Sequence, residues 1–459
     1  MCVATEDAPI LIGQSAPVSG TNQALGTGMK LGIELAIKEQ NEKGGVRGRN
    51  IELVFRDDAY QPELAEQAAR VLVDAQETPL APRCPTTTDS SLLGQELIST
   101  TALDRGPGAV LAFLGNVGTP TMVRAAPVAI ETGTIFFGPF TGAETILRDN
   151  KAGPCKKYIF NMRASYAEEA FATLEYFKKK GVNEHKHLIS FDQNDSFGQA
   201  GYDGLVAAYK QLIGNFPGSA DPVNPIVRFR YVRNDDASVP AQVQGAASYL
   251  ANLLTGNSST HVVGVLMTDT YGAGSAFVQG LREWQYANDT QQQSLDKANR
   301  LKLHFSHVSF VGPNALSDRL VTAGRVQAPS GAMMPLTDGV VVSQVVPNYQ
   351  SDSSEVVTSY NRLIAAAGAV PSFTSLEGYV AARVFIAGLL AHKGPFTPET
   401  LVSTLEKLPD LSLGIGASSG FSAGNHQYSS AVWGTSIEAD GSFRNLYFWS
   451  EGLPIQFFE

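Results

Sequence analysis

The chain has 459 residues, a length that at roughly 150 residues per domain allows two or three domains. Hydrophobic residues make up 43% and charged residues 17%, which is globular composition and argues against disorder, and no apolar run approaches the roughly 20 residues of a spanning helix. A formal charge of −10 without basic runs argues against a nucleic-acid binder or a protein lying on an anionic membrane, yet leaves an anionic small ligand open, because a local pocket can oppose the global sign.

Three cysteines, Cys2, Cys84 and Cys155, form no CxxC, so neither a zinc knuckle nor a redox pair is expected. Cys84 and Cys155 either form one bridge or stay as two unreactive thiols. The first residues, Met1 to Asp7, carry neither a basic nor an apolar region, and the first strand starts almost at once at Ile10. At face value that is a cytosolic protein, but it is also how an exported chain looks when its signal has been replaced by a start Met. Cys2 is then either a lipidated first residue or a cysteine near the cleavage point.

In chain order, Ile10-Leu11-Ile12 reads as a strand closed by Gly13, followed by the turn-rich loop Pro17–Asn22. A helix over Gly26–Glu42 carries Met29, Ile33 and Ile37 on one stripe and Lys30, Glu34 and Lys38 on the next, and ends at Gly44-Gly45. Ile51–Phe55 is a strand and Pro62–Ala75 a helix with Pro in its first turn. An excursion around Cys84 holds one short helix near Leu92–Ile98. The strand Val110–Leu114, the helix Thr119–Glu131 and the strand Thr134–Phe137 follow. Tyr158–Met162 is a strand, and Ala167–Lys180 a helix whose Glu168 and Glu169 at the start and three lysines at the end complement its dipole. Leu188–Phe191 is a strand and Gly198–Leu212 a helix. Ile226–Tyr231, Val262–Leu266 and Phe305–Phe310 are further strands, each with a helical pattern behind it. The Gln291–Gln293 run marks an exposed extension. Two helices, Thr374–Leu390 (apolar all round, hence buried) and Thr397–Lys407, precede a hairpin of Tyr428–Ile437 and Ser442–Trp449 around Asp440-Gly441. Such alternation predicts an α/β protein of βαβ units, with about ten strands shared between two lobes of parallel sheet.

Ligands of open α/β sheets bind beyond the carboxyl ends of strands. The loops there, Pro17–Asn22, Asp57–Gln61, Gly115–Thr119, Gly138–Gly142, Arg163–Tyr166, Asp192–Phe197, Thr268–Tyr271 and Gly312–Asn314, are rich in Gly, Ser, Thr and Asn. The loop Gly115-Asn116-Val117-Gly118-Thr119 precedes a helix, and free backbone N–H groups at that helix start, with the Thr119 hydroxyl, suit a carboxylate; Phe140-Thr141-Gly142 has the same makeup. Tyr166, Phe197 and Tyr271 are candidate flat walls. Singly these residues also read as turn formers, a cap at Thr119 and core aromatics; together, on successive loops, they point to a shared cleft.

Enzyme signatures are weaker. Gly26–Gly32 misses GxGxxG by one residue, no Walker A sequence occurs, and Gly416-Ala417-Ser418-Ser419-Gly420 matches GxSxG outside a strand-to-helix setting. His304 and His307 face opposite sides of a strand; His185 and His187 share a face without a third ligand nearby in sequence. Neither a metal nor a cofactor is expected. Asp57-Asp58 either binds a cation or a ligand ammonium, or caps the turn after it.

Several of these segments together resemble a known family. Pro17-Val18-Ser19-Gly20, the helix running into Asn41–Gly48, and Val54-Phe55-Arg56-Asp57-Asp58 are similar to the branched-chain amino-acid-binding proteins of ABC transporters, as are Ser196–Gly201, Leu376–Ala382 and Gly424–Tyr428. The resemblance runs from about Ile10 to Phe448. It implies the type I periplasmic-binding fold, two Rossmann-like lobes joined by three hinge strands: residues 8–163 with 347–422, and 164–346 with 423–459. The chain would cross near Met162–Ala164, Val345–Pro347 and Phe421–Asn425. The family's carboxylate anchors fall on Asn116, Val117, Gly118, Thr119, Phe140 and Thr141, and its second-lobe contacts on Tyr166, Phe197, Tyr271 and Asn314. Amino-acid binders place acids at the equivalents of Tyr166 and Asn314, so this chain either recruits Asp192, Asp195 or Asp269 for a ligand ammonium or binds an acid, an amide or a peptide fragment. The function implied is a non-enzymatic, periplasmic or lipid-anchored solute-binding protein. It would act as a monomer, deliver a small polar or carboxylate-bearing metabolite to an ABC permease, and close on it by hinge motion. A sensory ectodomain of the same fold is the alternative, and a hydrolase or oxidoreductase the third reading.

Overall fold

The computed structural model describes residues 8–80, 102–144, 156–212, 226–255, 259–287, 297–416 and 419–458. Cys2, Cys84, Cys155, the helix expected near Leu92–Ile98 and the Gln291–Gln293 run lie outside the described residues. The protein is α/β and divides into two compact units, Met1–Ala164 with Val345–Ala431 and Ser165–Gln344 with Val432–Glu459. The chain therefore passes from one to the other three times. The third passage, at Ala431–Val432, falls later than Phe421–Asn425. The reason lies in backbone pairing: Asn161 N donates to His426 O (2.7 Å) and Tyr428 N to Asn161 O (2.7 Å), which holds this segment in the first unit. Phe421 also packs edge-on against Phe137 and Phe160.

The first unit holds β1 (Ile10–Ala16), β2 (Ile51–Asp57), β3 (Gln76–Thr78), β4 (Ala102–Asp104), β5 (Ala112–Leu114), β6 (Ile135–Phe137) and β7 (Ile159–Phe160). Five of them form a wholly parallel sheet in the order β2-β1-β5-β6-β7, and β3 and β4 pair as an antiparallel ribbon. β1 continues past Gly13 because β2 pairs with it along its whole length, from Ile10↔Ile51 to Ala16↔Asp57. Successive side chains alternate between the faces. Phe113 and Phe136 (ring centroids 5.6 Å apart) join a core with Leu72, Met122 and Ala126 from the helices Pro62–Leu72 and Thr119–Glu131. Phe137 points the other way, edge-on to Phe385 at 5.1 Å.

That second face is covered by the helices Gln23–Glu42 and Phe373–Ala391. They approach closely because glycines meet backbone. A Cβ on Gly32 would lie 1.9 Å from the Ser375 carbonyl oxygen, and one on Gly378 would lie 2.4 Å from that of Met29. Phe373–Ala391 is long and apolar enough to cross a membrane by length and composition, a run the composition reading did not anticipate. Most of it is buried within the protein, as its all-round apolar surface predicts.

The second unit holds β8 (Leu188–Gln193), β9 (Val227–Tyr231), β10 (His261–Thr268), β11 (Leu301–His307), β12 (Arg325–Gln327), β13 (Met333–Pro335), β14 (Val340–Gln344), β15 (Val432–Ile437), β16 (Phe443–Trp449) and β17 (Gln456–Phe457). Eight form one sheet in the order β17-β16-β15-β14-β11-β10-β8-β9. The segment from β14 to β9 is parallel, and β15, β16 and β17 add to it antiparallel. The tail hairpin thus extends a parallel sheet, turning at Gly441, whose φ is +86°. The helix Tyr166–Lys180 starts with a capping box: Glu168 N donates to Ser165 Oγ (3.2 Å) and Ser165 N to Glu168 Oε2 (2.6 Å). It ends at Gly181 in the left-handed region.

The Gly32 contact generates a prediction. A methyl group there must displace a helix backbone, so Gly32→Ala is expected to destabilise the protein by about 3 kcal/mol, the upper end for overpacking. Gly44→Ala, at a positive φ with no atom within 4 Å, should cost only about 1 kcal/mol. Chemical-denaturation midpoints of the two variants that coincide would contradict the packing argument.

Candidate functional site

In the first unit, β5 and β6 end in two loops that are tied together. Phe140 N donates to Asn116 O (2.8 Å) and Gly118 N to Phe140 O (3.2 Å), so Val117 and Phe140 form a parallel bridge beyond the strand ends. The Thr119 and Thr141 hydroxyls are 2.7 Å apart. β1 joins the same assembly: Val117 N donates to Ser15 O (3.3 Å), and Ser15 N to Asn116 Oδ1 (3.3 Å). All six expected residues here, Asn116, Val117, Gly118, Thr119, Phe140 and Thr141, are buried and adjacent. Gly118, not Thr119, is the N-cap of the helix Thr119–Glu131. Its φ of +101° and a virtual Cβ 2.4 Å from the Tyr60 ring leave room for glycine alone. Thr119 is thereby the first helical residue, at an end where backbone N–H groups lack intrahelical partners.

Two charged groups lie beside these loops: Arg163, which is not among the expected site residues, and Asp58, one of the acidic pair expected either to hold a cation or a ligand ammonium or to cap a turn. Arg163 is 1% exposed; its Nη1 lies 3.3 Å from Glu377 Oε1, and its guanidinium sits 5.2 Å from the Phe140 ring centroid. Asp58 is fully buried. Its Oδ2 accepts from Ser15 Oγ (2.6 Å) and its Oδ1 from Tyr60 N (3.0 Å), and among the described residues it has no ion pair. Burial pushes the Asp58 carboxyl up to about 7; both hydrogen bonds oppose this, and neighbouring Asp57 adds to it. Asp57 Oδ1 accepts from Ala59 N and Val18 N, both at 3.0 Å, so the acidic pair caps turns. The turn is strained: Ala59 and Tyr60 have φ of +48° and +59°.

In the second unit, Tyr166 opens the helix Tyr166–Lys180, and its ring lies 5.6 Å from that of Phe197, near the start of the helix Ser196–Leu212. Phe310 continues the row, 4.6 Å from Phe197. Tyr271 opens the helix Tyr271–Tyr286, and Asn314 is the second residue of the helix Pro313–Ala323. These two helices pack together, and Arg319 from the latter places its guanidinium 5.2 Å from the Tyr271 ring centroid. The four expected residues thus fall into two pairs, Tyr166 with Phe197 and Tyr271 with the helix bearing Asn314.

The three carboxylates considered for a ligand ammonium are all committed. Asp192 receives Arg228 through two nitrogens (2.7 and 3.0 Å), Arg230 Nε (3.2 Å) and Ser190 Oγ (2.9 Å). Asp195 takes Phe197 N (2.9 Å), Gln193 Nε2 (2.7 Å) and Arg233 Nη1 (3.3 Å). Asp269 lies 3.0 Å from His307 Nδ1, both fully buried. Burial raises all three carboxyl pKa values, and the hydrogen-bonded partners oppose it. His187, whose turn is 3-10 and not a strand, pairs with His261 at 2.9 Å. Among the described residues no cluster of three His, Cys, Asp or Glu side chains is arranged to hold a metal ion.

Comparison with known proteins fits this geometry. The profile of a periplasmic binding protein family matches residues 9–88 and 107–442. A Leu/Ile/Val-binding protein homolog from Brucella abortus is 41% identical over 69 residues, 15% of this chain and 19% of its own length, so the aligned stretch spans about a fifth of that relative. The crystal structure of a possible leucine/isoleucine/valine-binding protein from Rhodopirellula baltica superposes with a TM-score of 0.72 at 28% identity, covering 97% of this chain and 98% of that one. A fatty acid ABC transporter substrate-binding protein from Thermomonospora curvata shares the fold at 14% identity (TM-score 0.69, 98% and 94% covered).

The Asp58 carboxyl generates a pH prediction. Its folded pKa, about 7, exceeds the roughly 3.9 of an unfolded aspartate. Stability present below pH 4 is therefore lost as pH rises to 7, because the unfolded state ionises first. Asp58→Asn does not titrate, so its unfolding free energy relative to the parent should climb between pH 5 and pH 8, by an amount on the order of a few kcal/mol at most. A difference that stays constant across this range would contradict the assignment.

Proposed function

The chain belongs to the type I periplasmic binding protein family of the branched-chain amino-acid group, and from that premise we propose that it is an extracytoplasmic solute-binding protein. It captures a small carboxylate-bearing metabolite by hinge closure and delivers it to an ABC permease, without chemistry on the ligand. One observation carries the reading: the bonded loop pair Asn116–Thr119 and Phe140–Thr141, at the carboxyl edge of a parallel sheet and at a helix start. The N–H groups of Val117, Gly118 and Phe140 are spent on the seam itself, so the start of the helix Thr119–Glu131 and the two hydroxyls are what favour an anion, while Arg163 beside Phe140 is balanced by Glu377. Tyr166, Phe197, Tyr271 and Asn314 would supply the contacts that make the closed state the better binder. A ligand touching both states equally would shift nothing.

A thermal-shift screen of L-amino acids, aromatic acids and amides identifies the ligand, since binding to the native state raises the melting midpoint. Thr119→Ala and Tyr271→Ala are each expected to weaken that ligand about tenfold or more in calorimetric titration, the scale of one lost hydrogen bond to a charged group or one lost aromatic contact. Unchanged affinity in both variants would refute the placement.

A further inference from the structure

We infer that Asp236 is a specificity-determining residue that pairs with a protonated amine on the ligand, taking the place of an acid at Tyr166 or Asn314. The inference rests on the binding-protein reading and assigns one residue of that site.

With Asp192, Asp195 and Asp269 committed to Arg228, Arg233 and His307, Asp236 is a carboxylate of the post-strand loops in a different situation. It follows β9 and opens the 3-10 turn Asp236–Ser238. It is half-buried, and no hydrogen bond or ion pair reaches its oxygens from the described residues. Its neighbour Asp235 accepts from Ala237 N at 3.1 Å. The cap of the turn is therefore already supplied, and Asp236 is not needed for it.

Its position is built rather than incidental. The carboxylate lies against the Cα of Gly272, where an added Cβ would come within 2.3 Å of Oδ2 and 3.0 Å of Cγ. The next residue back is Tyr271, an expected ligand contact, and the Arg319 guanidinium lies 5.2 Å from its ring centroid. Burial raises the Asp236 pKa; Arg319 lowers it without reaching ion-pair distance, and Asp235 raises it. A partly desolvated carboxylate that accepts nothing is stabilised by a cationic donor more than by a neutral one, because charge-assisted bonds are roughly twice as strong. A ligand ammonium beside Tyr271 meets that requirement.

The full chain, Asp236→Asn and Asp236→Ala are titrated at pH 7.5 by calorimetry and thermal shift against the twenty L-amino acids and their des-amino acids, such as 3-phenylpropanoate for phenylalanine. The parent is expected to bind at least one amino acid 100-fold more tightly than its des-amino analogue. Asp236→Asn should lose about 30-fold for the amino acid and bind the analogue as the parent does. A parent that binds only des-amino acids overturns the inference and leaves the binding function standing, a readout independent of how the variants fold. Equal loss for both ligands, or no loss, in Asp236→Asn also overturns it. A parent that responds to neither set overturns both readings.

Discussion

Two loops that leave neighbouring parallel strands have no reason to stay together, because the ladder that aligned them has ended. Here a second, shorter ladder takes over, in which Phe140 N reaches Asn116 O and Gly118 N reaches Phe140 O. The organisation of the first unit's rim depends on that seam. It fixes Thr119 against Thr141, starts the helix Thr119–Glu131 at Gly118, and brings Ser15 of β1 alongside.

The second unit solves a different problem. Its post-strand loops carry several carboxylates, and a fully buried unpaired one would cost several kcal/mol. Asp192 and Asp195 are matched by guanidinium groups on and just beyond β9, and Asp269 by His307 on β11. Arg228 and Arg230 are two apart on a strand, hence on one face, which is why both reach Asp192. Such pairs add little net stability compared with apolar packing, but they cement the edge strand to its neighbour. They also use up those carboxylates.

Much of the architecture was legible because βαβ alternation writes hydrophobic period and turn residues into the chain. Thr119–Glu131 stands where the pattern puts it, and Tyr166–Lys180 begins one residue early because Ser165 is the cap. β14 was not predicted, although Val340–Gln344 is as long as the strands expected at Ile51–Phe55 and Val110–Leu114; its place between β11 and β15 emerges only from the sheet. The loops of the first-unit rim were legible as Gly- and Thr-rich segments before helices. Their mutual bonding was not, since Asn116 and Phe140 meet only through the sheet. Arg163 was missed as a site component for a related reason. A lone charge in a loop reads as solvated until the fold buries it.

The Asp58 turn shows how these levels join. Ala59 and Tyr60 both occupy the left-handed region, a conformation non-glycine residues hold only when their surroundings impose it. Asp58 imposes it from one side by accepting Tyr60 N, and Ser15 fixes the other carboxylate oxygen. The fully buried Tyr60 ring then lies where a Gly118 side chain would stand. Glycine at 118 and strain at 59–60 are therefore one constraint seen from two ends. Relieving the strain would move the ring, and a larger residue at 118 would do the same. Either change would shift the helix start that carries Thr119, so the backbone cost at Ala59 and Tyr60 is the counterpart of a fixed rim.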